Sequence, residues 1–244
     1  MITNAPIFQN CCVFGASGGI GKAIAQKLAA QPGDVALHLG SRSARADVRN
    51  GTSFTFDLTH EDSIAAAAAQ LKSCAPLDLI FIATGLLQDD AISPEKSYRM
   101  QTQAAYEKAF AVNCIGPALI GKHFLPLMAR ERRSVFAVLS ARVGSISDNH
   151  LGGWHAYRAS KAALNMVVRN FAVELTRSHP QAIAVALHPG TVDTPLSQPF
   201  QRNVEPEKLF TPDDAASRLL TVLDGLTPAD SGQLFAWDGR KIDF

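Results

Sequence analysis

A tyrosine and a lysine stand four residues apart in Tyr157-Arg158-Ala159-Ser160-Lys161, at the head of an apolar-periodic run through Leu164, Val167, Val168, Phe171 and Leu175. On a helix, positions four apart share a face, so the phenol and the ammonium project side by side from one turn. A phenol, with an ordinary pKa of about 10, is a poor proton donor or acceptor near neutrality. A fixed positive charge within a few ångströms favours the phenolate and draws that pKa down. The spacing therefore predicts a general acid–base group. Taken alone, the same pair is more often a packed ring beside a solvated amine, so its meaning rests on what positions it.

A second chemical signal lies near the start. Cys11 to Phe14 reads as a strand and Ile20 to Ala30 as a helix, with Gly15-Ala16-Ser17-Gly18-Gly19-Ile20-Gly21 between them. Glycines at such a junction let the backbone turn sharply and approach a pyrophosphate, which then rests on the N–H groups of the helix N-terminus. A P-loop fails on register: Ala16 stands where its first glycine belongs, and Ala23 replaces the hydroxyl that would hold magnesium. The GxGxxG spacing fails too, leaving GxxxGxG on Gly15, Gly19 and Gly21. In nucleotide sites of this kind an acid about 20 residues further on binds the ribose of NAD, whereas arginine accommodates the 2′-phosphate of NADP. Ser41-Arg42-Ser43 stands there, with no carboxylate between Val35 and Ala46. NADP(H) is expected over NAD(H).

The elements that must hold these groups alternate. Val35 to Leu39, Ser53 to Phe56, Leu77 to Ala83, Ser134 to Ser140, Ala182 to Leu187 and Gln233 to Trp237 read as further strands. Helical patterns run from about Glu61 to Lys72, Thr102 to Arg130, through the Tyr/Lys stretch, and from Pro212 to Leu226. Pro117 and Pro126 predict that the Thr102 to Arg130 helix is kinked or divided. Strands apolar on both faces and separated by helices imply an α/β fold: a Rossmann-type doubly wound parallel β-sheet flanked by helices on both faces. No repeat or linker divides the chain, so a single nucleotide-binding domain over residues 1–244 is expected.

Composition narrows the function classes. With 47% hydrophobic residues, 18% charged and a net charge of +1, nothing calls for nucleic acid or an anionic membrane surface. The first charged residue is Lys22, and polar residues and glycines interrupt the opening stretch, which fits neither a signal peptide nor a membrane span. A cytoplasmic protein is expected. Cys11, Cys12, Cys74 and Cys114 form no metal-ligand spacing with each other or with histidine, and no metal site is expected.

Glycine turn and Tyr/Lys pair together, in this order, resemble the short-chain dehydrogenase/reductase family along essentially the whole chain. The run Gly144 to Asn149 followed by Gly152-Gly153-Trp154 is similar to the branch containing C-factor and sniffer-type carbonyl reductases. The resemblance implies a hydride transfer between a nicotinamide and a small carbonyl or alcohol substrate, with Tyr157 as proton donor and Lys161 holding the nicotinamide ribose. It further implies that Asn113 supports a water chain to the lysine. Cofactor contacts are implied at Gly15, Ser17, Gly18, Gly19, Ile20, Gly21, Ser41, Arg42, Asp57, Leu58 and Gly85. The same holds for Tyr157, Lys161, Pro189, Gly190, Val192 and Thr194. Pairing into a homodimer or homotetramer through the central helix and the Tyr/Lys helix is implied as well.

Two departures stand out. Ile82-Ala83-Thr84-Gly85 replaces the family's Asn-Asn-Ala-Gly, and Ala141 occupies the place of the catalytic serine, three residues before Gly144. Either Ser145 or Ser140 is expected to replace that hydroxyl, with Ser145 slightly favoured because Gly144 frees the backbone before it, or Tyr157 is expected to work without one at a reduced rate. The missing serine also keeps open an alternative in which the protein is a weak or inactive NADP-binding scaffold.

Overall fold

Four apolar runs, Asn10–Phe14, Leu79–Ile82, Ser134–Leu139 and Ala182–His188, form strands closed off on both faces, as a covered parallel sheet requires. The computed structural model describes residues 7–42 and 48–244; Ser43 lies outside the described residues. The chain forms β1 (Asn10–Phe14), α1 (Gly19–Ala29), β2 (Ala36–Ser41), β3 (Gly51–Thr55), α2 (Glu61–Leu71) and β4 (Leu79–Ile82). It continues through α3 (Gln103–Phe110), α4 (Gly116–Phe124), β5 (Ser134–Leu139), α5 (His155–Ser178) and β6 (Ala182–His188). A two-residue pair, β7 (Thr191–Val192) and β8 (Leu209–Phe210), precedes α6 (Pro212–Gly225), β9 (Leu234–Ala236) and β10 (Lys241–Ile242).

Eight strands form one sheet in the order β10-β9-β6-β5-β4-β1-β2-β3, parallel except for β10. The order reverses at the β1–β4 pair, and doubly wound sheets bind ligands beyond the carboxyl ends of the strands at such a switch point. On one face Ile64 of α2, Phe124 of α4 and Val168 of α5 are fully buried. On the other, Ile24 of α1 and Leu219 of α6 are equally closed off. Phe14 packs edge-on against Phe54, Phe56 and Phe124 at 5.6, 5.0 and 4.8 Å between ring centroids, giving the switch point a stiff floor.

The expected division of the central helix is real but occurs before the prolines. Between α3 and α4 the residues Ala111–Ile115 form a π-helical turn, and Pro117 sits in the first turn of α4, where its missing N–H costs nothing. By length and composition the run Gln103–Leu127 could cross a membrane. Here it covers the sheet, with Ile120 and Phe124 fully buried.

Candidate active site

Glycine geometry builds the first cavity, of about 450 Å³, at the carboxyl ends of β1 and β2. A Cβ at Gly21 would lie 2.2 Å from the carbonyl oxygen of Gly15, so only glycine fits where α1 crosses the turn. Gly15 has φ +81°, and its N–H and that of Ala16 donate to the Gly40 carbonyl at 2.9 and 3.1 Å. Gly18 caps α1 without a side-chain partner and no acid stands in the first turn, which leaves the helix N-terminus free to face an anion.

Gly15, Ser17, Gly18, Ser41, Arg42, Asp57, Leu58 and Gly85 line this cavity together. Thr84, from the segment that departs from the family pattern, lines it too, and its hydroxyl oxygen is buried without a partner. A buried orphan hydroxyl facing a glycine cradle, with an exposed guanidinium at the rim, fits a nucleotide with a phosphate near Arg42. The Asp57 carboxylate accepts from the Thr59 N–H at 2.8 Å and hydroxyl at 2.7 Å, and these bonds hold its pKa below the usual range. Asp89 lines this cavity and pairs with Lys108.

A second cavity, of about 290 Å³, opens beneath Tyr157. Ile20, Pro189, Gly190, Val192 and Thr194 line it, so the expected cofactor residues divide between the two spaces. A Cβ placed on Gly19 would meet the Thr194 methyl at 2.8 Å, so the glycine turn closes directly against the segment after β6.

Lys161 is buried beneath Tyr157, its Nζ donating to the Leu139 carbonyl at 2.8 Å and lying 5.8 Å from the phenol ring centroid. The lowering of the tyrosine pKa expected from this pair is not what the chain alone produces. Burial pushes the Tyr157 phenol up to about 12 and the Lys161 ammonium down to about 8. Desolvation outweighs attraction because both groups leave water together.

Asn113 is fully buried in the π-turn. Its Oδ1 accepts from the Leu86 N–H and its Nδ2 donates to the Leu86 carbonyl, both at 2.8 Å. Nδ2 also donates to the Ser160 hydroxyl at 3.1 Å. The position of a Cβ on Gly85 is 3.6 Å from Asn113 Oδ1 and 3.8 Å from Lys161 Nζ. Asn113 thus holds the β4 loop against the helix that carries Tyr157. The head of α5 is anchored from the same loop: Glu95, 3% exposed, accepts from Trp154 N–H through its carbonyl at 2.6 Å and from Ala156 N–H through its carboxylate at 3.3 Å.

Neither expected serine replaces the missing hydroxyl, which corrects the reading from sequence. Ser140 borders the second cavity, but its hydroxyl donates to Asn165 Oδ1 at 2.7 Å. Ser145 is 2% exposed and its hydroxyl is bound to the Asp243 carbonyl next to β10. Ala141 is extended (φ −150°, ψ 147°), so strand alternation continues through it and keeps Ser140 on the α5 side. The sequence reading missed His188 and Arg142 in this cavity. Trp154 and Phe200 line it as well, with ring centroids 5.1 Å apart.

Known proteins resemble this chain in sequence and fold. The family model described as short chain dehydrogenase matches residues 9–205. A 1-hydroxy-2-glutathionyl-2-methyl-3-butene dehydrogenase of Rhodococcus sp. (strain AD45) is 31% identical over 236 residues, covering 95% of this chain and 98% of that protein. The C-signal protein of Myxococcus xanthus is 35% identical over 136 residues, covering 55% of this chain and 76% of that protein. Among solved structures, the NADPH-bound carbonyl reductase from chicken fatty liver superposes with a TM-score of 0.84 at 26% identity, covering 97% of this chain and 99% of that one. The carbonyl reductase Sniffer of D. melanogaster has the same fold, with a TM-score of 0.83 at 19% identity over 97% of this chain and 99% of that one.

Proposed function

Because the chain belongs to the short-chain dehydrogenase family and is an oxidoreductase using a nicotinamide cofactor, we propose that it prefers NADP(H) and reduces a carbonyl whose body is apolar. The observation that carries the cofactor preference is Arg42 with Ser41 at the end of β2, bordering the same cavity as the glycine turn. The guanidinium is a planar donor suited to a phosphate, and no carboxylate competes for a ribose hydroxyl at that strand end.

When bound, the nicotinamide supplies the hydride. The protein's own part is binding, orientation and the proton. Tyr157 gives its phenolic proton to the substrate oxygen, and Lys161 holds a positive charge beside the ring and a donor toward the nicotinamide ribose. Asn113 fixes the Leu86 backbone and Ser160, which keeps loop and helix in register. Leu87, Trp154, Leu196, Phe200 and Val204 give the substrate cavity apolar walls, which favour an aromatic or branched aliphatic carbonyl.

The scaffold alternative is disfavoured by the complete Asn113, Tyr157 and Lys161 set. A homodimer or homotetramer through α4 and α5 is proposed, supported by exposed Ile115, Met166 and Val173 on that helix layer. Free Cys11, Cys12 and Cys114, all buried, suit the reducing conditions of a cytoplasmic protein. The test is NADPH oxidation followed by absorbance over a panel of aldehydes, ketones and quinones, repeated with NADH. Turnover with NADPH and a clear excess over NADH is expected; no turnover on any carbonyl would return the scaffold reading.

A further inference from the structure

With Ser140 tied to Asn165 and Ser145 to the Asp243 carbonyl, the substrate oxygen has no serine to meet. Among the described residues lining the cavity below Tyr157, Arg142 is paired with Asp148 at 3.3 Å, and the Thr194 and Ser197 hydroxyls both donate to the Val192 carbonyl. His188 differs from them. Neither of its ring nitrogens makes a hydrogen bond, and Nδ1 is closed off from solvent as well. No other described residue of this cavity buries an unpartnered polar side-chain atom. Polar groups in such a state ordinarily find a partner, and His188 lines the cavity in which a substrate would offer one.

Its place in the sheet fits. Leu139 pairs with Leu187 and the Ser140 N–H donates to the Leu187 carbonyl at 2.8 Å, so His188 is the cross-strand neighbour of Ser140 and shares its α5 side of the sheet, the side that carries Tyr157, one residue from Ala141. It ends β6 at the carboxyl edge, where doubly wound sheets place their chemistry.

We propose that His188, from the α5 side of the sheet, donates a hydrogen bond to the substrate's carbonyl oxygen in place of the serine absent at position 141, making it a catalytic residue beside Tyr157. Burial, with Arg142 nearby, pushes its pKa down to about 4, so the ring works as a neutral N–H donor and does not compete with Tyr157 for the proton transfer. No further reagent is needed, because hydride and proton come from the groups already named. The inference rests on the reductase reading above.

The experiment compares the parent with His188→Ala, His188→Gln, Ala141→Ser and the His188→Ala/Ala141→Ser double variant. NADPH oxidation is followed with 4-nitrobenzaldehyde, NADPH affinity by fluorescence titration and folding by thermal denaturation. His188→Ala should lower kcat about 10²-fold while NADPH affinity holds, the usual scale for one donor to a developing oxyanion. His188→Gln, which keeps a donor, should retain more activity than the alanine variant. Adding Ala141→Ser to His188→Ala should recover about tenfold or more, because it restores a hydroxyl to the same oxygen. A reading independent of turnover is the ¹⁵N spectrum of the parent with NADPH. The His188 ring signals, assigned by their loss in His188→Gln, should shift when 4-nitrobenzyl alcohol is added. A kcat for His188→Ala within about threefold of the parent, a loss of NADPH affinity in its place, or a double variant no better than the single would overturn the proposal. A parent inactive on every carbonyl tried would remove the reductase reading, and the inference with it.

Discussion

Backbone shapes the cavity at the ends of β1 and β2, whereas side chains shape the one below Tyr157. In the first, glycines are fixed by contacts no Cβ could survive, such as Gly21 against the Gly15 carbonyl, and specificity is left to Arg42 at the rim. In the second, the walls are Leu, Val, Trp and Phe, and the polar set has been rearranged around Ala141. The difference teaches that the nucleotide half is constrained by the fold's own turn, while the substrate half is free to exchange one donor for another.

The sharpest way to separate the two halves is to disable one and read the other. Tyr157→Phe should lower kcat/KM about 10²-fold to 10⁴-fold while NADPH affinity, read by fluorescence titration, holds. A Phe variant that turned over normally would take the proton transfer away from Tyr157. In the opposite sense, Arg42→Ala should raise the dissociation constant for NADPH about 10- to 100-fold and leave NADH unchanged. Equal loss for both cofactors would show that Arg42 supports the cavity and does not read the phosphate.

Lys161 lies between the halves, and pH tests it without any ligand. Its folded pKa of about 8 lies below the ordinary 10.5, so between those values the unfolded chain binds more protons than the folded one. Stability of the cofactor-free protein should therefore rise as pH climbs from about 8 toward 10. Above pH 10 Tyr157, whose pKa is pushed up to about 12, works in the opposite direction because the folded form then keeps its proton longer. Thermal denaturation across this range should show the rise in the parent and a flatter profile in Lys161→Met.

The smallest effects are expected at the two serines. Ser140→Ala and Ser145→Ala should each cost about 1 kcal/mol of stability through a lost hydrogen bond, with turnover within about threefold of the parent. A large fall in kcat for either, with Tm unchanged, would return that hydroxyl to the chemistry.

What was legible in the sequence follows the same division. Gly15, Gly19 and Gly21 were readable because a close backbone approach leaves no other residue type, and the Tyr157–Lys161 pair because four-residue spacing fixes a shared helix face. Ser145 was misread because its partner, the Asp243 carbonyl, is set by β10, a two-residue strand too short to show any period. The direction of the Tyr157 shift was misjudged because depth of burial is a property of packing, which spacing does not encode. His188 did carry a signal: a histidine closing a strand just before Pro189-Gly190 stands at the carboxyl edge, where site residues collect.

The π-turn at Ala111–Ile115 has a consequence in helical phase. Such a turn holds one residue more than an α-helical turn, so everything after it is rotated by about 100° from where an unbroken helix would place it. Ile115 is half-exposed, and deleting it together with Pro117→Ala, which removes the ring and restores the N–H, would let α3 run into α4 with regular hydrogen bonds. The helix would gain and the site would lose, since Asn113 could not keep both its hold on Leu86 and its contact with Ser160. A shortened variant that melts no earlier than the parent yet turns over far more slowly would show that the extra residue serves geometry and not cohesion.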